Sequence, residues 1–178
     1  RIGIFIGAND GGKARAKLQW ALSDARRMAA VMQELGGLSR TDTLFLNQPR
    51  VADIVGSLRS YGSLVQQKKG SMRRTEFVFY YSGHSDDKGL LVGEEVLPYG
   101  ELRRALDELK ADVTIAILDS CASGAFTRQK GGIRIQPFLV DQTSDMRGYA
   151  YLTSSSEDEA SQESDALAAS FFTHYMIS

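Results

Sequence analysis

The sequence predicts an α/β fold in which a mostly parallel sheet is covered by helices on both faces. Two observations carry this expectation. Residues 2–6, 77–81 and 113–118 are short, nearly continuous apolar runs, the pattern of strands buried on both sides. Segments with apolar residues at helical spacing separate them, and such alternation implies βαβ units whose right-handed crossovers build a parallel sheet.

Taken in order, residues 1–7 form a strand that runs into a glycine-rich loop at 8–12. Residues 18–35 form a helix, with Leu22, Ala25, Ala29 and Met32 at helical spacing and Gly36 and Gly37 as its stop. Residues 43–46 are the next strand, and 50–67 a helix with Val51, Ile54, Val55, Leu58 and Leu64 as its apolar positions. The basic run 68–74 is expected to be a solvated loop. Residues 76–81 give the strongest strand signal and break at Ser82 and Gly83. Residues 90–92 and 96–97 flank Gly93 and suggest a small hairpin. A helix follows at 99–109, with Leu102, Ala105, Leu106 and Leu109 on one face, then a buried strand at 113–118. Residues 127–147 read as a polar loop, 149–153 as a last strand, 154–165 as an acidic stretch and 170–177 as a terminal helix.

Composition narrows the function classes. The 178 residues, 43% hydrophobic and 24% charged, suit one soluble domain spanning 1–178. Net charge is −1, from 21 basic against 22 acidic residues, which argues against a dedicated nucleic-acid binder. No apolar run reaches the roughly 20 residues of a membrane span. One cysteine excludes an internal disulfide framework and a multi-cysteine zinc site, and suits a reducing, cytoplasmic setting. Arg1 opens directly on a strand and Ser178 closes an apolar helical stretch, so a fragment of a longer chain is expected, with room for a regulatory domain or activator outside it.

In such sheets the site lies beyond the carboxyl ends of the strands. His84 follows the run ending at Tyr81, and Cys121 follows the run ending at Leu118. If those strands are neighbours, an imidazole and a thiol leave the sheet at one edge. A thiol attacks a carbonyl as the thiolate, and an imidazole can take its proton and later give one to the leaving amine. Alone, the cysteine is more often a small buried apolar side chain than a nucleophile, and the histidine is usually a loop polar group; their joint placement after two buried strands raises the case for chemistry. Gly83 and Gly124 permit the tight turns such loops need, and a helix starting after Cys121 would favour the thiolate through its dipole.

Tyr80, Tyr81, Ser82, Gly83, His84 and Ser85, with Asp119, Ser120, Cys121, Ala122, Ser123 and Gly124, closely resemble the two signature segments of caspase-like cysteine peptidases of the peptidase C14 family. The likeness is greatest to the metacaspase and bacterial caspase-like branch. Segments 2–7, 18–25, 99–102 and 153–157 have counterparts in that family in the same order. The resemblance implies a caspase-like three-layer sandwich and a cysteine endopeptidase, with His84 as general base and acid and Cys121 as nucleophile. Backbone amides of Cys121 and Ser85 would hold the oxyanion. The family usually has glycine where Ser85 stands, but only an N–H is needed there.

The resemblance also implies a specificity. Metacaspases line the pocket for the residue before the cut bond with acidic groups and favour Arg or Lys, and the matching positions are Asp24, Asp119 and Ser82. Two carboxylates facing one cavity attract a cation and repel an acid. Without the resemblance, Asp24 reads as a charge complementing a helix N-terminus and Asp119 as a loop cap. Protein or peptide substrates are expected, with no nucleic acid, membrane, cofactor or metal. Calcium-activated metacaspases use an aspartate-rich insertion after the histidine; here the His-to-Cys spacing is 121 − 84 = 37, against about 50 in caspases. Asp86 and Asp87 alone offer too few oxygen ligands. Residues 127–134 read as a self-cleavage loop or an ordinary surface loop, 157–159 as a border of the substrate groove, and His174 as structural.

Three alternatives follow. An inactive or partner-activated caspase-like scaffold is disfavoured by the presence of both His84 and Cys121. A nucleotide site at 7–12 matches neither the dinucleotide nor the P-loop spacing. A serine hydrolase lacks the closing glycine of a nucleophile elbow at 83–87.

Overall fold

The structure, a computed structural model, describes residues 1–71, 74–120, 148–154 and 163–178. In chain order the described elements are β1 (Ile2–Ala8), α1 (Ala21–Glu34), a short 3-10 turn (Arg40–Asp42), β2 (Thr43–Asn47), α2 (Val51–Lys69), β3 (Glu76–Ser85), β4 (Gly89–Val92), β5 (Glu95–Pro98), α3 (Tyr99–Glu108), β6 (Val113–Asp119), β7 (Gly148–Thr153), β8 (Glu163–Ser164), β9 (Ala169–Ser170) and α4 (Phe171–Ile177).

Parallel pairing runs β2–β1–β3–β6–β7, and the β4–β5 hairpin joins antiparallel to the end of β3. Side chains alternate along each strand, so the sheet has two packed faces. Ile2, Ile4 and Ile6 of β1 and Phe77, Phe79 and Tyr81 of β3 pack with Ile54, Leu58, Leu102 and Leu106, which places α2 and α3 on that face. Phe5, Val78, Tyr80 and Ile117 pack with Ala25, Met28 and Ala29 of α1, and Phe172 and Ile177 of α4 join them. The sandwich therefore has three layers, as the sequence predicts. Each fully buried Leu, Ile or Phe contributes about 1.5–3 kcal/mol through burial.

Several boundaries differ from the sequence reading, each for a physical reason. β3 does not end at Tyr81; it continues to Ser85, so His84 lies within a strand and not in the loop after one. Its first part is held by β1 and β6, and beyond them the hairpin supplies new partners, His84 opposite Leu91 and Ser85 opposite Leu90. Helix α1 starts at Ala21, not at residue 18. Asn9 draws the preceding residues into a loop: its carbonyl accepts from Leu18 N–H at 2.8 Å and its side chain from Leu22 N–H at 2.9 Å. At Gly7 a Cβ would lie 2.6 Å from the Leu22 Cα, so the close approach of α1 to β1 requires glycine there.

The basic run is not simply a solvated loop. Lys68 and Lys69 complete α2, Lys68 pairs with Asp42, Lys69 lies 3.8 Å from Asp112 and Arg74 3.2 Å from Glu76. The β8–β9 hairpin was not foreseen, because two-residue strands carry no periodic signal. Its pairing sets Glu163 opposite Ser170.

Candidate active site

His84 is held from three sides. Its backbone is fixed by the β4 ladder and by Tyr81, whose buried hydroxyl lies 2.8 Å from both the His84 and Leu91 carbonyls. Its ring Nε2 lies 2.9 Å from the Ala16 carbonyl. A carbonyl can only accept, so Nε2 carries a proton, which in the neutral ring leaves the lone pair on Nδ1. Gly11 covers the ring: a Cβ at that position would lie 2.4 Å from the His84 Cδ2.

The loop that delivers the Ala16 carbonyl is pinned by its own polar groups. Besides Asn9, the Asp10 carboxylate accepts from Gly12 N–H at 2.9 Å, and Gln48 bonds both the N–H and the carbonyl of Asp10. The Gly12 N–H, with Lys17 nearby, holds the Asp10 carboxyl below its ordinary value.

The β3–β6 register pairs Ser82 with Asp119. These two residues share the sheet face covered by α1 and α4, and His84, two residues beyond Ser82, continues the same face. Ser85 Oγ donates to Ser120 Oγ at 2.9 Å in the interior, and Ser120 N–H donates to Ser154 Oγ at 2.9 Å. Cys121 follows Ser120 in the chain and lies outside the described residues, as do Gly124, the segments 127–134 and 157–159, and any helix start after the cysteine.

A cleft of about 20 Å³ opens beside His84, lined by Leu18, Ser82, Gly83, His84, Asp119, Glu163 and Ser170. Asp24 is not among these lining residues; it is fully buried behind Ser170, whose N–H it accepts at Oδ2 at 2.9 Å. Asp24 Oδ1 has no hydrogen-bond partner among the described residues. Burial pushes the Asp24 carboxyl up to about 7, Asp119 and Glu163 push the same way, and the Ser170 N–H and Arg27 oppose them. Asp119 Oδ2 accepts from the hydroxyls of Ser170 and Thr173, the latter at 2.6 Å.

Sequence reasoning passed over four contributors: Ala16, Gly11, Glu163 and Ser170. Glu163 belongs to the acidic stretch 154–165, in which the sequence singles out only 157–159 as a border of the groove. The Glu163 carboxylate also accepts from the N–H groups of Gln19 and Trp20 at 2.9 Å each, tying the hairpin to the start of α1. His174 stands on α4 with its ring 5.1 Å from that of Tyr175. Among the described residues no group of three or more His, Cys, Asp or Glu is arranged to hold a metal ion, and no helix is long and apolar enough to cross a membrane.

Helices on both faces of a mostly parallel sheet, with an imidazole at the carboxyl end of β3 and a buried carboxylate at that of β6, define the caspase-like α/β class. The caspase-domain family model, peptidase C14, matches residues 1–178, and the chain belongs to that family of cysteine endopeptidases. Among solved structures, the crystal structure of protein GSU0716 from Geobacter sulfurreducens matches with a TM-score of 0.63 at 17% identity. The match covers 97% of this chain and 78% of that one, and is a likeness of fold. No curated protein matches the chain.

Proposed function

We propose that the chain is a cysteine endopeptidase that hydrolyses peptide bonds after Arg or Lys. One observation carries the reading. The His84 imidazole is oriented by the Ala16 carbonyl, while the next residue, Ser85, touches the residue immediately before Cys121. With Nε2–H committed to Ala16, Nδ1 takes the proton of the Cys121 thiol. The thiolate attacks the carbonyl carbon, and the imidazolium returns the proton to the departing amine as the C–N bond breaks. Water, deprotonated by the neutral imidazole, then cleaves the thioester and restores the thiol.

The oxyanion would be held by the N–H groups of Ser85 and Cys121. Antiparallel pairing alternates its hydrogen bonds. Asp86 N–H donates to the Gly89 carbonyl at 3.1 Å, so by this alternation the N–H one residue earlier, on Ser85, is directed away from β4. For specificity, Ser82, Asp119 and Glu163 line the cleft and Asp24 adds its field from behind. An acidic residue before the cut bond would meet like charge, and a guanidinium or ammonium opposite charge. Calcium dependence is not expected. The Asp86 carboxylate already accepts from the N–H groups of Lys88 and Gly89 and lies 3.7 Å from Arg15, closing the β3–β4 turn.

The test is hydrolysis of fluorogenic peptides with Arg, Lys or Asp before the cut bond, with and without calcium, beside Cys121→Ala. Cleavage after Arg or Lys that disappears in the variant supports the reading. Equal cleavage after Asp, or equal turnover by the variant, overturns it. Silence with no labelling of Cys121 by a peptide electrophile would mark the chain as an inactive scaffold.

A further inference from the structure

One residue reaches both buried carboxylates without being either of them. Ser170 N–H donates to Asp24 Oδ2 at 2.9 Å, and its hydroxyl donates to Asp119 Oδ2. The same oxygen accepts from Thr173 N–H at 3.0 Å and so caps α4. Thr173 Oγ1 donates to Asp119 Oδ2 at 2.6 Å and bonds the Tyr80 hydroxyl. The directions are forced: a carboxylate accepts only, so both hydroxyls spend their single proton on Asp119, and Thr173 must accept from Tyr80.

The result is a directed chain, Tyr80 to Thr173 to Asp119, met from the other side by Ser170. Its members are almost wholly shielded from water: Tyr80 and Thr173 are 0% exposed, Asp119 3% and Ser170 5%. Buried carboxylates keep a defined orientation only where donors meet them. Here two hydroxyl donors converge on one oxygen of Asp119, and one backbone donor fixes one oxygen of Asp24. Because a single residue supplies a donor to each, the spacing between the carboxylates is set by Ser170 and, through its cap, by α4.

We propose that Ser170 is the positioning residue for substrate selection, presenting the Asp119 carboxylate on the cleft wall, with Asp24 held behind it, to a cationic side chain in the cleft. This rests on the basic-selective reading given under Proposed function. Ser170 acts through the carboxylates, so its loss weakens the holding of the cation more than it slows bond cleavage.

The experiment compares the unaltered chain with Ser170→Ala, Ser170→Thr and Thr173→Val. The substrates are fluorogenic peptides carrying Arg or its uncharged isostere citrulline before the cut bond. Ser170→Ala should raise KM for the Arg peptide about 10- to 100-fold, as expected for loss of a charge-assisted hydrogen bond. Its kcat should change by less than about threefold, and the Arg-to-citrulline preference should collapse. Ser170→Thr, which keeps the hydroxyl and the cap, should restore the preference. Thr173→Val keeps the cap and removes the second donor together with the acceptor of the Tyr80 hydroxyl, so it should reproduce the loss even if Ser170→Ala fails to fold. An unchanged preference in the Ala and Val variants, or equal losses on both peptides, overturns this inference alone. An unaltered chain that does not favour Arg over citrulline overturns the basic-pocket reading, and this inference with it.

Discussion

Replacing Asp24 with asparagine should stabilise the protein at alkaline pH and leave it nearly unchanged at acid pH. The side chain is fully buried, one oxygen is without a partner among the described residues, and the carboxyl is pushed from an ordinary 3.8 up to about 7. Burial is the main cause, Asp119 from β6 and Glu163 from β8 add repulsion, and Arg27 and the Ser170 N–H work against them. The folded carboxyl therefore binds its proton more tightly than the unfolded one. Between about pH 4 and pH 7 the folded state carries the extra proton, and stability falls as pH rises through that window. Each pH unit of difference corresponds to about 1.4 kcal/mol, so the gap from 3.8 to about 7 sets an upper limit of about 4 kcal/mol. Asparagine is neutral at every pH and keeps an acceptor for the Ser170 N–H. At pH 8 a gain of about 2–4 kcal/mol should raise Tm by about 4–16 °C, and at pH 4 the two proteins should melt together. Differential scanning calorimetry across pH 4–8 reads this directly. A Tm difference that is the same at both ends, or a variant less stable at pH 8, would refute the argument. In activity the sign reverses: the ratio of kcat/KM for Arg over citrulline substrates, in which the His84 contribution cancels, should rise through pH 7 in the unaltered chain, and that rise should vanish in Asp24→Asn.

Other perturbations separate positioning from binding. Gly11→Ala places a methyl where the His84 ring stands, so the imidazole must leave the Ala16 carbonyl; kcat should fall about 100-fold with the circular dichroism spectrum unchanged, and full activity would contradict the orientation described here. His84→Ala should abolish turnover and slow alkylation of Cys121 by iodoacetamide, and an unaltered alkylation rate would place the thiol outside the reach of the imidazole. Glu163→Gln removes one charge from the cleft wall; KM for Arg substrates should rise about tenfold while citrulline substrates are unaffected.

The layers of the fold were legible because strands covered on both faces need apolar residues at every position, and those runs stand out in any reading. The end of β3 was not. Gly83 reads as a breaker, and only the hairpin, a partner from further along the chain, extends the strand through His84. Ser82, Asp119 and Asp24 came from resemblance to a family, since a carboxylate on the buried side of a helix looks locally like an end charge. Ala16 could not be found by side-chain reasoning at all, because it contributes a carbonyl that every residue possesses. Ser170 was placed correctly at the start of the terminal helix, where Ser is a common cap. That it reaches two carboxylates 146 and 51 residues away along the chain is a property of the folded state alone.

The length of β3 also acts as a ruler. Ser82 on the cleft wall and the His84 imidazole are successive same-face residues of one strand, which fixes their spacing at about 7 Å. A single inserted residue between them would turn one of the two to the opposite side of the sheet. The cleft's other wall comes from the β8–β9 hairpin, which has no covalent tie to that spacing. Variation in what the cleft accepts can therefore accumulate along 163–170, while the distance between the gripping wall and the imidazole stays constant.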